Sequence, residues 1–272
     1  MMPKVVRKTY FRILLVFAGL FFAVPRECAA ENLITAKSYI VIDRESGEIL
    51  LAHKAKKRQA PASTTKLMTA LLAYELSPLN EYVNVSPEAA QASPVRIGLK
   101  SHEDFKMRDL LVAALIRSAN DASVAIAIAV AGTEDNFVKL MNDKALSLGA
   151  YDTRFINAHG LPGPDQYTTA YDMLLIMNAF RQYPELVRIL TTTHAEIVSK
   201  QGRKILVQSR NKILKKNSYD FFLGKTGYTK SAGHCLVGLA RDQEADISFV
   251  LLGSQKIWKD TRTILDESLQ LN

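Results

Sequence analysis

Two cysteines, one tryptophan and five histidines are few among 272 residues of the side chains that staple, anchor or ligate. Cys28 lies near the start and Cys235 far downstream, so a chain cut after Ala30 can form no internal disulfide. No Cys/His pair has zinc-site spacing, so neither a metal nor any other cofactor is expected. Cys235 stands in the apolar run Cys235-Leu236-Val237-Gly238-Leu239 and reads as a small buried hydrophobe, with no histidine and carboxylate to make it a nucleophile. There are no repeats, no low-complexity tract and no recognisable linker, which excludes solenoids and strings of modules.

Charge of one sign is also scarce once the first thirty residues are set apart. The whole chain has 35 basic and 27 acidic residues. Lys4, Arg7, Lys8, Arg12 and Arg26, with Glu27, fall in that stretch; without them 30 basic and 26 acidic residues remain, a surplus of four. No basic helix or aromatic-rich basic stripe accompanies it, so nucleic acid is not an expected partner.

The same stretch has the layout of an export signal. A basic start precedes the twelve-residue apolar run Ile13 to Val24, and Cys28-Ala29-Ala30 offers small residues for cleavage. Twelve apolar residues are short for a bilayer span, and Arg26-Glu27 does not suit a lipoprotein cleavage box. Residues 1–30 are therefore expected to be a signal peptide, with an uncleaved anchor as the alternative, and membrane contact is expected only in that case. An exported chain, periplasmic or extracellular in the cell-wall compartment, follows. Residues 31–272 suffice for one well-buried unit.

Within that unit, Tyr39-Ile40-Val41-Ile42 and Glu48-Ile49-Leu50-Leu51-Ala52 read as strands joined by a tight turn at Glu45-Ser46-Gly47. Lys66 to Leu76 has apolar residues on one helix face. Met107 to Ile116 is a second helix, and Ala122 to Ala131 is apolar all round, hence buried. Glu134 to Leu148 is amphipathic and stops at Gly149, and Thr169 opens a helix to about Phe180 with capping-box spacing. Strand character returns at Glu196–Val198, Lys204–Val207, Phe221–Gly224, Cys235–Leu239 and Ile247–Leu252, before a closing helix from about Ile257 to Leu269. Strands at both ends of a helical middle predict an α+β fold, with an antiparallel sheet drawn from both termini and helices packed on it.

Three short stretches carry chemistry. In Ser63-Thr64-Thr65-Lys66, residues three apart share a helix face, so Lys66 lies over Ser63 at a helix start, where backbone N–H groups are unpaired. A serine hydroxyl attacks only when a neighbouring base takes its proton, and a lysine serves only if burial and nearby cations depress its pKa. Taken alone, Ser63 reads equally well as a helix cap. Ser118-Ala119-Asn120 lies at a helix junction and supplies a hydroxyl and an amide, though both residues also suit capping. Lys225-Thr226-Gly227 places a cation and a hydroxyl before a glycine in a strand, where glycine marks close approach of backbone or ligand. A second serine-lysine match, Ser209-Arg210-Asn211-Lys212, has no Ser-x-Asn between it and Lys225. Only Ser63, Ser118 and Lys225 satisfy the full order.

In that order the chain resembles the D-alanyl-D-alanine carboxypeptidases, the low-molecular-weight penicillin-binding proteins, from about Lys37 onward. Pro61–Thr69, Ser118–Ala122, Asn157-Ala158-His159-Gly160-Leu161, Gln166–Met173 and Gly224–Gly233 look like family blocks. The resemblance implies a β-lactamase/transpeptidase-like fold with a five-stranded antiparallel sheet and a helical lobe, residues 31–272 forming a DD-peptidase catalytic domain. It implies Ser63 as nucleophile, Lys66 as base and Ser118 as proton relay. Asn120 would hold the peptide amide, and Lys225, Thr226 and Arg210 would read a terminal carboxylate. Gly227 completes that stretch, and the N–H groups of Ser63 and Tyr228 would form an oxyanion hole. His159 would shape the loop around the site.

The implied partners are peptidoglycan stem peptides ending in D-Ala-D-Ala and β-lactams as covalent inhibitors. A DD-endopeptidase and a non-catalytic wall-binding protein are the alternatives on the same fold. A class A β-lactamase would need a loop glutamate after the second stretch, and no glutamate occurs between Glu134 and Glu185. Many members also carry a second β-rich domain and an amphipathic C-terminal anchor; neither is expected here, since the last helix, with Trp258, Ile264, Leu265 and Leu269, reads as packing against the sheet.

Overall fold

In the computed structural model, residues 34–212, 219–242 and 245–270 are described; the expected signal peptide at 1–30 lies outside them. Strand β1 (Ser38–Asp43) pairs antiparallel with β2 (Ile49–His53). Asp43 closes the turn between them, its Oδ1 accepting the Glu45 and Ser46 N–H groups at 3.0 and 2.6 Å. Strands β7 (Phe221–Thr229), β8 (Gly233–Asp242) and β9 (Ala245–Ser254) come from the other end of the chain. β1 pairs with β9, giving one five-stranded sheet in the order β2-β1-β9-β8-β7, antiparallel throughout. The expected sheet from both termini is what the chain forms.

Alternation along the strands sends side chains into two cores. On one face Ile40, Leu223, Val237, Val250 and Leu252 join the helical lobe. On the other, Tyr39, Val41, Phe222, Phe249 and Leu251 meet Ile257, Ile264 and Leu265 of the closing helix α8 (Ile257–Gln270). Coverage on both faces explains why the central strands are nearly continuous hydrophobic runs.

The lobe contains α1 (Lys66–Leu76), α2 (Pro87–Gln91), α3 (Met107–Val112), α4 (Asn120–Ala131), α5 (Glu134–Ser147), α6 (Ala170–Phe180) and α7 (Pro184–Thr191). Helix α1 departs from the one-faced pattern expected of it. Its first eight residues, Lys66 to Ala73, are all buried, because α3, α4, α5, α6 and α7 pack around it. The helix expected to reach Ile116 ends as an α-helix at Val112 and continues as a wider π-type turn, Ala113–Arg117, leaving Ser118 in the left-handed region at φ 66°. Such turns concentrate at functional sites. Thr169 caps α6 as its spacing predicts, accepting the Asp172 N–H. Strands β5 (His194–Val198) and β6 (Lys204–Gln208) pair with each other outside the main sheet. β3 (Tyr82–Asn84) and β4 (Asp104–Lys106), a pair absent from the sequence expectation, likewise stand apart.

Candidate active site

Edge strand β7, the start of α1 and the turn before α4 converge on one cleft of about 590 Å³. Ser63, Ser118, Arg210, Thr226, Gly227 and Tyr228 line it. Behind them lie Lys66, Asn120 and Lys225, each at most 2% exposed. All nine residues singled out from the sequence are therefore brought to a single place.

Ser63 sits in a short 3₁₀ turn, Ala62–Thr65, that runs directly into α1. Lys66 Nζ donates to Ser63 Oγ at 3.2 Å, to Asn120 Oδ1 at 2.7 Å and to the His159 carbonyl at 2.6 Å. Burial and the charge of Lys225 hold the Lys66 amine well below its ordinary value of 10.5, with Asp121 and Glu134 pulling it back upward. An amine in that state can take the proton of a hydroxyl within hydrogen-bond reach.

Lys225 Nζ donates to Ser118 Oγ at 2.9 Å and to the Thr226 carbonyl at 2.9 Å. Burial, then the nearby Arg210, lower it to about 7. Ser118 reaches this lysine because its left-handed conformation turns the chain between the π-type turn and α4. A non-glycine residue held there costs of order 1 kcal/mol and persists only where its surroundings fix it. Ala62, at φ 49°, is a second such residue beside Ser63.

Gly227 explains how strand and helix start come so close. A Cβ on it would lie 2.8 Å from Ser63 N, 3.0 Å from Ala62 Cβ and 3.2 Å from Thr64 N. At the rim, Tyr228 is 61% exposed and its ring lies 4.5 Å from that of His234, with Trp258 lining the same wall. Arg210 also lines the cleft, near enough for Lys225 to feel its charge, its guanidinium somewhat depressed by burial and by Arg117.

The family model described as D-alanyl-D-alanine carboxypeptidase matches residues 26–256. The chain belongs to the D-alanyl-D-alanine carboxypeptidase family. It is 33% identical over 228 residues to a D-alanyl-D-alanine carboxypeptidase of Bacillus subtilis, covering 80% of this chain and 57% of that one. Such curated carboxypeptidases are longer: this chain spans roughly three fifths of their length. A solved D-alanyl-D-alanine carboxypeptidase from Mycobacterium tuberculosis superposes with a TM-score of 0.81 at 30% identity, covering 88% of this chain and 92% of that one. Penicillin-binding protein D2 from Listeria monocytogenes, solved in a cefotaxime-bound form, gives 0.74 at 28% identity, covering 87% and 98%. The expected penicillin-binding-protein fold is thus the fold of this chain.

Three supports of this carboxypeptidase-family site were not read from its sequence. Asp121, fully buried, accepts the Ile97, Gly98 and Leu99 N–H groups at 2.9 to 3.2 Å and so holds the loop carrying Pro94 and Val95 against the cleft. Its position directly after Ser118-Ala119-Asn120 was the available signal. Asn211, within the rejected Ser209 stretch, donates to the Gly224 carbonyl at 3.1 Å and clamps β7 one residue before Lys225. Glu134 touches the His159 loop from a residue distant in sequence, a contact no local pattern announces. It does not line the cleft, and its Oε1 is committed to the Ala158 N–H.

Proposed function

We propose that this chain is a serine D-Ala-D-Ala carboxypeptidase that removes the terminal D-alanine from peptidoglycan stem peptides. The observation that carries the reading is the buried Lys66 amine at 3.2 Å from Ser63 Oγ, together with the buried Lys225 amine at 2.9 Å from Ser118 Oγ. Ser63 Oγ attacks the carbonyl of the penultimate D-alanine while its proton passes to Lys66 Nζ. The oxyanion so formed is held by the N–H groups of Ser63 and Tyr228, each worth a few kcal/mol. Collapse breaks the C–N bond, and the proton held on Lys66 is relayed through Ser118 to the departing amine, so Lys66 is neutral again and free D-alanine leaves. Water then hydrolyses the ester on Ser63 and regenerates the hydroxyl.

Asn120 orients the peptide amide, while Lys225, Thr226 and Arg210 take the free carboxylate, since all three gather on the Ser118 side of the cleft or along β7. The same site accepts β-lactams, whose carbonyl and carboxylate follow the peptide's, and Ser63 is the residue acylated. The composition of residues 1–30 supports export to the periplasm or another cell-wall compartment, where this substrate occurs. Incubation with a stem pentapeptide and with a cross-linked dimer tests the reading. Release of free D-alanine from the pentapeptide is expected; cleavage of the dimer alone would make the protein an endopeptidase, and action on neither would overturn the proposal.

A further inference from the structure

The loop around His159 connects the start of α5 to the lysine at the start of α1. Glu134 stands in the first turn of α5, behind its cap Thr133, which accepts the Asn136 N–H at 3.2 Å. Glu134 Oε1 accepts the Ala158 N–H at 2.8 Å and lies 3.7 Å from His159 Nε2. His159 Nδ1 accepts the Leu161 N–H at 3.2 Å, so the ring proton of the neutral imidazole sits on Nε2, facing the carboxylate. The carbonyl of the same histidine accepts Lys66 Nζ at 2.6 Å. Asn157 Oδ1 fixes the turn from inside, taking the His159 and Gly160 N–H groups at 3.3 and 2.6 Å. Gly160 presses on the other side, where a Cβ would come within 1.8 Å of the Ala62 carbonyl.

We propose that Glu134 is a positioning residue for the acylation step: its carboxylate fixes the His159 carbonyl against Lys66 and supplies a buried negative charge toward that amine. This inference rests on the reading of Ser63 and Lys66 as nucleophile and base. The charges felt by Lys66 are Lys225 on β7, Asp121 on α4 and Glu134 on α5, and Lys66 in turn acts on the His159 imidazole in the loop. Glu134 in turn faces Glu88 of α2 and its neighbour Asp135. Burial and Lys66 push His159 down to about 4, so it carries no charge at neutral pH. Burial raises the Glu134 carboxyl above its usual range, opposed by the Ala158 N–H and by Lys66. Of these groups Glu134 alone combines a hydrogen bond to the loop with a charge felt by Lys66.

Two substitutions separate charge from anchorage, because glutamine keeps an acceptor for Ala158 and alanine keeps nothing. Benzylpenicillin acylation rates from pH 5 to 9, with melting temperature alongside, are measured for the full chain and for Glu134→Gln and Glu134→Ala. For Glu134→Gln the acidic limb is expected to move to lower pH by roughly half a unit or more, since a positive group that loses a nearby negative charge gives up its proton more readily. For Glu134→Ala acylation slows at least about tenfold across the range, as a displaced carbonyl misplaces the amine. An acidic limb that stays in place in Glu134→Gln overturns the inference, and that variant decides the matter if Glu134→Ala does not fold. Failure of the unsubstituted chain to be acylated at Ser63 overturns the site reading instead, and this inference with it.

Discussion

Gly227 and Ser63 touch through backbone alone: a single added carbon on the glycine would sit 2.8 Å from the serine nitrogen. That contact sets the width of the space in which a carbonyl must be held between strand and helix start. Gly227→Ala is therefore expected to push β7 off the 3₁₀ turn and lower penicillin acylation by about 10²-fold, the scale of an ångström-sized misplacement. Circular dichroism should still report a folded chain, because β7 remains paired along β8. Wild-type acylation in this variant would mean the strand has slack that the contact denies.

Ser63→Ala removes the attacking oxygen and leaves the surrounding hydrogen bonds of Lys66 to Asn120 and His159 in place. D-alanine release should fall by several orders of magnitude, and no covalent penicillin adduct should form. In the unsubstituted chain intact-mass spectrometry should find a long-lived adduct on Ser63. Rapid penicillin turnover without an adduct would point to a lactamase, for which the cleft presents no glutamate among the described residues.

Lys225 makes activity and stability pull in opposite directions. Its folded-state value of about 7 lies below the 10.5 of a free lysine, so between those pH values the unfolded chain binds the extra proton. Stability from this group is then fully present above about pH 10.5 and is lost as pH falls toward 7. Lys225→Met should raise the melting temperature by a few degrees at pH 6 and little at pH 10, while carboxypeptidase activity falls by orders of magnitude. A uniform loss of stability at both pH values would show that the hydrogen bond to Ser118 outweighs burial of the charge.

The pH–rate profile should be bell-shaped. Lys66 must be neutral to accept a proton, so the rate rises with pH through its lowered value. Lys225 must be charged to draw a carboxylate, so kcat/KM falls as pH passes about 7. A bound carboxylate should move the same limb of kcat upward. A profile for kcat/KM that is flat through neutrality would detach Lys225 from carboxylate recognition.

Asp121 should matter through folding. It is buried and accepts three successive backbone N–H groups, so Asp121→Ala leaves donors unpaired and should cost about 2–4 kcal/mol, read from denaturant unfolding. Asn would retain part of the loop and lose less.

Much of the fold was legible because hydrophobic period and punctuation agree along the chain. The strand pair around Glu45-Ser46-Gly47 and the helix stop at Gly149 follow directly from local chemistry. Helix α1 was harder to read: its apolar stripe is real, but burial all round comes from neighbours contributed by distant segments. The wide turn before Ser118 was illegible for a related reason. Ala113–Arg117 has an ordinary helical composition, and the contact that accompanies the wider turn, Ser118 with Lys225, is made 107 residues away in sequence.

Residue types and their order were thus enough to name Ser63, Lys66, Ser118 and Lys225, since a serine, a lysine one helical turn on, and a strand-borne cation form a pattern readable in one dimension. Tertiary structure alone decided the chemical state of those groups. Burial depresses both amines because their charged forms lose water, and a nearby cation adds to it in each case, Lys225 for Lys66 and Arg210 for Lys225. It also decided the supports, Glu134 behind His159 and Asn211 behind Gly224, whose partners lie 24 and 13 residues away and meet only when the chain has packed.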